Sequence, residues 1–231
     1  MLSIRYNEDR GHANHGWLDT RFTFSFADYN DPNHMGFRSL RVINEDFIAP
    51  GRGFGTHPHK DMEILSYVLS GELGHKDSIG SGGVIRNGDV QFMSAGTGIR
   101  HSEANPSPTE TTHMLQIWLL PSQTGLDPKY GQKQFPIVSE MNRLHLIASR
   151  DGREGSFLIR SEAEMYAGKL IAGATLEQKL AGGHGWVQVA AGESTVNKQA
   201  LHAGDGVAIS DETSIEIEAV TDAELVLFDL G

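Results

Sequence analysis

There is no cysteine among the 231 residues. That excludes disulfides, thiolate zinc sites, iron–sulfur clusters and a cysteine nucleophile. Long apolar runs are missing too. None approaches the roughly 18 residues that a membrane-spanning helix needs, and the N-terminal "MLSIRYNEDRGHANHG" lacks the apolar segment of a secretory signal. Basic residues are the minority charge, 19 Lys and Arg against 30 Asp and Glu, which sets the formal charge at −11 and the pI near 5.4. Such a surface repels a phosphate backbone, so direct nucleic-acid binding is not expected, although a protein partner could still connect the chain to transcription. The expectation is a cytoplasmic protein without membrane contact, acting as a monomer.

Long helical periodicity is equally scarce. Short β-type runs punctuated by 27 glycines take its place. "FRSLRVINEDFIAP" puts Leu40, Val42 and Asn44 on one period-2 face, and "MEILSYVLSG", "GDVQFMSAG", "THMLQIWLLP", "GWVQVAAGE", "DGVAISD" and "AELVLFDL" read as further strands. Many short strands at this spacing predict an all-β sandwich or barrel. "SEAEMYAGKLIAG" (161–173) reads either as a short helix capped by Ser161 or as another strand. The Pro-, Gly- and Gln-rich segment 121–143 is the best linker. The chain repeats a pattern on either side of it: a strand, a Gly-Glu turn (Gly71-Glu72; Gly192-Glu193), a polar hairpin, then Gly-Asp (Gly88-Asp89; Gly204-Asp205) and another strand. Two similar β-barrels in tandem follow from that repeat.

The 11 histidines leave nitrogen and oxygen as the available metal donors. In "GTHPHKDME" His57 and His59 are two apart, and in "HSE" so are His101 and Glu103. Residues i and i+2 of a strand share a face, so four ligands from two strands can close around one ion. Three imidazoles and a carboxylate suit Fe(II), Zn, Cu, Ni, Co or Mn better than Mg or Ca. Taken alone, the first stretch is either half of such a site or a His-rich polar loop.

The wider blocks bear on that choice. Gly51-x5-His57-x-His59-x3-Glu63 resembles the first motif of the cupin superfamily, with seven rather than six residues before Gly71. Gly98-x2-His101-x3-Asn105 is similar to the end of the second motif, with Gly96 in place of its proline. "GFGTHPHKDMEI" and "GTGIRHSE", within a resemblance covering most of residues 10–120 and weaker beyond, look like the pirin family and especially its bacterial quercetinase-like members.

The resemblance implies a bicupin: two tandem antiparallel jelly-roll barrels with few short helices. Residues 1–130 would form the metal-binding barrel and 131–231 a C-terminal barrel without ligands, where His184 and His202 are surface or turn residues. It implies one divalent ion, Fe(II) preferred, held by His57, His59, His101 and Glu103. The implied activity is ring opening of a flavonol such as quercetin by dioxygen with release of carbon monoxide, Glu103 serving as both ligand and base. The alternative role is a metal- or redox-sensing transcriptional co-regulator working through a protein partner. Glu63 is expected to support the ligands or to be a satisfied core carboxylate, and His113 and Gln116 are candidate polar groups of a pocket. His12, His15 and His34, with Trp17, are expected in a segment packed over the barrel, and Phe22, Phe24, Phe26, Met93, Met114 and Trp118 mostly in the core, some of them lining a pocket for a flat ligand.

Overall fold

Twenty strands and two single-turn 3-10 helices, Asn7–Asp9 and Arg153–Gly155, account for the regular structure of this computed structural model, which describes residues 1–231. No helix is long and apolar enough to cross a membrane. Every strand pairing is antiparallel except one two-residue parallel pair, as expected of a bicupin. The segment 161–173, readable as helix or strand, is a strand whose alternate residues are buried.

The chain divides into two compact units, and both are discontinuous in sequence. β1 (Leu2–Arg5) lies with the C-terminal unit, which comprises Met1–Arg10, Phe135–Leu158 and Glu162–Gly231, while the N-terminal unit takes Gly11–Gln134 together with Ile159–Ser161. A single division at residue 130 does not anticipate this exchange. Part of the expected linker is also a strand, because Lys129–Gln134 pairs in register with residues 89–94.

The strands of the N-terminal unit are β2 (Gly11–Asn14), β3 (Leu18–Phe22), β4 (Leu40–Ile48), β5 (Gly53–Ser70), β6 (Glu72–Asp77), β7 (Gly82–Arg86), β8 (Asp89–Ala104), β9 (Thr112–Leu119) and β10 (Lys129–Gln134). They form one sheet in the order β2-β3-β4-β9-β5-β8-β6-β7, with β10 added on β8. Leu18, Ile48, Val68, Leu73, Ile85 and Met114 pack together on its inner side. A second apolar cluster of Ile64, Met93, Ala95 and Ile99 is joined by Met62 and Trp118. β5 and β8, 18 and 16 residues long, are the backbone of the unit. Their pairing slips between Phe54 and His57 and again between His59 and Asp61, and such bulges bend a strand.

The C-terminal unit contains β11 (His145–Ser149), β12 (Phe157–Leu158), β13 (Ala163–Leu170), β14 (Thr175–Lys179), β15 (His184–Ala191), β16 (Glu193–Val196), β17 (Gln199–His202), β18 (Gly206–Ser210), β19 (Ser214–Ala219) and β20 (Ala223–Leu230). A seven-stranded sheet containing β15, β18 and β20 and a four-stranded sheet of β14, β19, β16 and β17 share a core. Val187, Val207 and Leu225 come from the first sheet, and Val196, Leu201, Ile215 and Ile217 from the second. The internal repeat is visible in the backbone. Gly71 and Gly192 turn at φ 74° and 77°, and Gly88 and Gly204 both at 89°. Glycine is demanded there: a Cβ on Gly192 would stand 2.1 Å from the Asp222 carbonyl oxygen, and one on Gly71 2.7 Å from that of Thr111. The repeats differ in reach. β15 and β18 have 8 and 5 residues, without the extensions that carry His57, His59, His101 and Glu103 on β5 and β8.

Candidate metal centre

β5 and β8 lie side by side with His57 directly opposite His101. The cross-strand pairing and the two-residue period bring three imidazoles to one point. His59 Nε2 and His57 Nε2 lie 2.9 Å and 3.0 Å from His101 Nε2. Two nitrogens at right angles, each about 2.1 Å from a shared ion, stand about 3.0 Å apart, so the rings have the spacing of donors to one metal. The coordinating atoms of all three lie within 4.8 Å of one another, and His101 and Glu103 belong to a second such group with His75.

The tautomers are determined by what each other ring nitrogen meets. His57 Nδ1 is 2.8 Å from the Gly55 carbonyl oxygen, which only accepts, so Nδ1 carries the proton and Nε2 presents a lone pair. Behind His101 runs a longer chain. The Asp77 carboxylate accepts from His75 Nε2 at 3.2 Å, leaving His75 Nδ1 as an acceptor; Gln91 Nε2 lies 3.0 Å from that nitrogen and His101 Nδ1 3.3 Å. His101 therefore donates through Nδ1 and keeps Nε2 open, the arrangement in which a carboxylate orients a metal-binding histidine. Burial, reinforced by the neighbouring imidazoles, lowers His101 to about 2, and burial followed by His57 lowers His59 to about 4. Both rings are neutral donors at ordinary pH.

Glu103 is almost fully buried at the end of the same row. The Ser66 hydroxyl lies 3.1 Å from Glu103 Oε1 and 3.1 Å from Gln116 Oε1, and Gln116 Nε2 donates to Glu103 Oε2 at 2.9 Å. Burial above all, then repulsion from Asp46, raises its carboxyl to about 7 against the hydrogen bonds from Ser66 and Gln116. Loss of solvation is the dominant cause, as expected for a carboxylate taken from water without a cation beside it.

His57, His59 and Glu103 line a cavity of about 590 Å³, within the roughly 300–1,000 Å³ of small-molecule sites. Its walls are largely aromatic, with Trp17, Phe22, Phe26, Phe54 and Trp118, and Thr20, Asn44, Asp46 and Gln116 add a polar strip. Trp118 meets His59 edge to face with ring centroids 4.9 Å apart. His15 lies on the wall beside Trp17. His12 pairs instead with Asp19, and His34 with Asp31. Phe24, Met93 and Met114 are buried in packing.

Of the two alternatives for Glu63 the structure takes the satisfied buried carboxylate, and His113, a candidate pocket group, lies elsewhere. Glu63 would share a face with the histidines on a regular strand, but Asp61 sits at φ 63° where the register slips and interrupts the alternation. His57 and His59 face the cavity before it, and Met62, Ile64 and Ser66 take that side after it. Glu63 thus turns to the other face, where Ser94 Oγ donates to one carboxylate oxygen and the Arg160 backbone N–H donates to the other at 2.9 Å. His113 is on the opposite face of β9 from Gln116 and Trp118. It stacks on Phe47 and pairs with Glu45 at 2.9 Å. Only Gln116 of the three reaches Glu103. Sequence reasoning missed Ser66, His75 and Asp77, yet "GHKD" carries a signal, a third i, i+2 pair of metal-site residue types on a strand.

The family profile described as Pirin matches residues 3–119, and that described as the quercetinase C-terminal cupin domain matches residues 146–230. A protein named quercetin 2,3-dioxygenase from Escherichia coli strain K12 is 49% identical over 231 residues, 100% of this chain and 99% of that protein. A pirin-like protein of Caulobacter vibrioides is 46% identical over 99% of both chains. The crystal structure of a bacterial pirin from Escherichia coli in complex with nickel(II) superposes with a TM-score of 0.94 at 48% identity, covering 100% of this chain and 99% of the other.

Proposed function

This chain belongs to the pirin family, and on that premise we propose that it is a metal-dependent dioxygenase that opens the central ring of flavonols such as quercetin. The observation that carries this reading is the cluster of His57, His59 and His101, with Glu103 joined to His101 in a second donor group, beside an aromatic-walled cavity of about 590 Å³. A divalent ion held by these four residues, Fe(II) in our preferred assignment, supplies a Lewis acid that makes the flavonol 3-hydroxyl easier to ionise.

The protein does the rest. The imidazoles contribute no charge and Glu103 contributes one negative charge, so an anionic substrate oxygen is tolerated beside a dication. Trp17, Phe22, Phe26, Phe54 and Trp118 present apolar surface to flat rings and keep water away. Ser66 and Gln116 hold the two oxygens of Glu103 in place, so that its carboxylate can accept the 3-hydroxyl proton. Both atoms of dioxygen then enter the organic product, and one carbon of the opened ring leaves as carbon monoxide.

The test is aerobic turnover of quercetin by metal-free protein reloaded separately with Fe(II), Ni(II), Co(II), Cu(II), Mn(II) and Zn(II). Loss of flavonol absorbance matched by carbon monoxide release is expected with at least one ion. No turnover with any of them would reject the enzyme and favour the co-regulator.

A further inference from the structure

Polar side chains inside a barrel stand out because burial penalises them unless they are paired. Across the inner face of the N-terminal sheet, Asn44, Gln116 and Ser66 stand directly opposite one another on β4, β9 and β5. Gln116 and Ser66 hydrogen-bond Glu103. Asn44, 4% exposed, has no protein partner for its Oδ1, and Thr20, 2% exposed on neighbouring β3, has none for its Oγ1. Both line the cavity. A side-chain carbonyl only accepts and a hydroxyl can accept, and the Asp46 carboxylate opposite Thr20 in register adds acceptors to the same wall. The unpartnered atoms at this end of the cavity are an amide oxygen, which accepts, and a hydroxyl oxygen, which can accept, so a ligand that brings hydroxyl groups complements them.

The placement suits the chemistry. In the order β4-β9-β5, Asn44 lies one strand beyond Gln116 and two beyond Ser66, the two groups that hydrogen-bond Glu103. Resting on the flavonol reading above, we propose that Asn44 and Thr20 form a hydroxyl-recognition subsite. They accept hydrogen bonds from phenolic groups remote from the metal and so make the site selective for polyhydroxylated flavonols over those bearing the 3-hydroxyl alone.

Quercetin and 3-hydroxyflavone test this, because only the first carries outer-ring hydroxyls. The metal-loaded wild type, Asn44→Leu, Thr20→Val and the hydroxyl-retaining Thr20→Ser are compared in two ways. One is anaerobic binding, read from quenching of tryptophan fluorescence, since Trp17 and Trp118 line the cavity. The other is the ratio of kcat/KM for the two compounds in air. Removing a buried partner of a substrate hydroxyl is expected to lower the quercetin-to-3-hydroxyflavone ratio about 10- to 100-fold, in binding as well as in kcat/KM. Thr20→Ser is expected to keep it within about 3-fold of wild type, in line with a role for the hydroxyl itself. Quercetin bound and cleaved with an unchanged ratio in both Asn44→Leu and Thr20→Val would overturn the subsite alone. Failure of wild type to bind or cleave either compound would overturn the flavonol reading and the subsite with it.

Discussion

Replacing Glu103 by Gln separates its chemistry from its place in the fold. The hydrogen bonds around it can be re-made: Ser66 donates to the new amide oxygen, and a rotated Gln116 amide accepts from the new NH2. The negative charge is what disappears. In the metal-free protein, burial raises this carboxyl from 4.5 to about 7. Its folded-state pKa is above the unfolded one, so the folded state favours the protonated form; stability is greatest below about 4.5, declines as pH rises to about 7 and stays low above. At 1.36 kcal/mol per pH unit that gap corresponds to about 3 kcal/mol at most. The metal-free Gln variant should therefore match wild type at pH 5 and melt at or above the wild-type temperature at pH 8. Catalysis should move the other way. Loss of a general base costs about 10²- to 10⁴-fold, or about 2.7–5.4 kcal/mol in the activation free energy of the reaction. The assay is kcat for quercetin loss and carbon monoxide release at saturating substrate, per bound metal measured by elemental analysis. A variant with full metal content and kcat within about 3-fold of wild type would refute Glu103 as the base.

Three further outcomes are expected. His57→Ala leaves two imidazoles and one carboxylate, and should purify without stoichiometric metal and without turnover; metal analysis after dialysis checks it. His75→Phe keeps a ring to stack on Tyr130, at 4.8 Å in the wild type, but removes the acceptor for His101 Nδ1, and metal affinity should fall about 10- to 100-fold in a chelator competition. An unchanged affinity would mean that the Asp77–His75–His101 chain does not orient the ligand. Metal loading should also depend on pH through Glu103. With His59 and His101 neutral down to about 4 and about 2, protons compete at the carboxylate near 7. Affinity should drop by up to about tenfold per pH unit below that point, and the same titration on Glu103→Gln should be distinctly flatter.

The strands and the tandem repeat were legible because period-2 burial and positive-φ glycines leave direct marks in sequence, as Ile215, Ile217 and Ala219 on β19 and the Gly71/Gly192 pair show. The pairs His57/His59 and His101/Glu103 stood out for the same reason: on an extended chain, i and i+2 are neighbours. Less visible was anything requiring knowledge of which strand lies beside which. Asn44 shares a face with Leu40 and Val42, and Thr20 with Leu18 and Phe22, and only the assembled sheet shows that this face lines a cavity rather than packing in a core. The exchange of Met1–Arg10 and Ile159–Ser161 between units depends on long-range pairing with no local signature. Between the two candidates His113 and Gln116, three apart on β9, the sequence does not say which faces the cavity; the sheet shows that Gln116 does, while His113 stacks on Phe47.

Asp61 acts as a phase shifter in β5. Upstream of it His57 and His59 look into the cavity, and downstream the even-numbered Met62, Ile64 and Ser66 take that side, so two requirements with incompatible spacing share one uninterrupted strand. The donor segment can change its residue types without dragging the packing segment out of step, and the reverse holds as well. The shift also acts on charge: it turns Glu63, the carboxylate nearer the histidines in sequence, away from the imidazole cluster to serve as an anchor for the backbone of Arg160. Deleting Lys60 would leave Glu63 three positions after His59, an odd interval that keeps it off the imidazole side of a regular strand. Straightening the strand with every residue kept would instead restore the even, four-residue interval, turn Glu63 toward the imidazoles and convert a site with a single anionic donor into one with two.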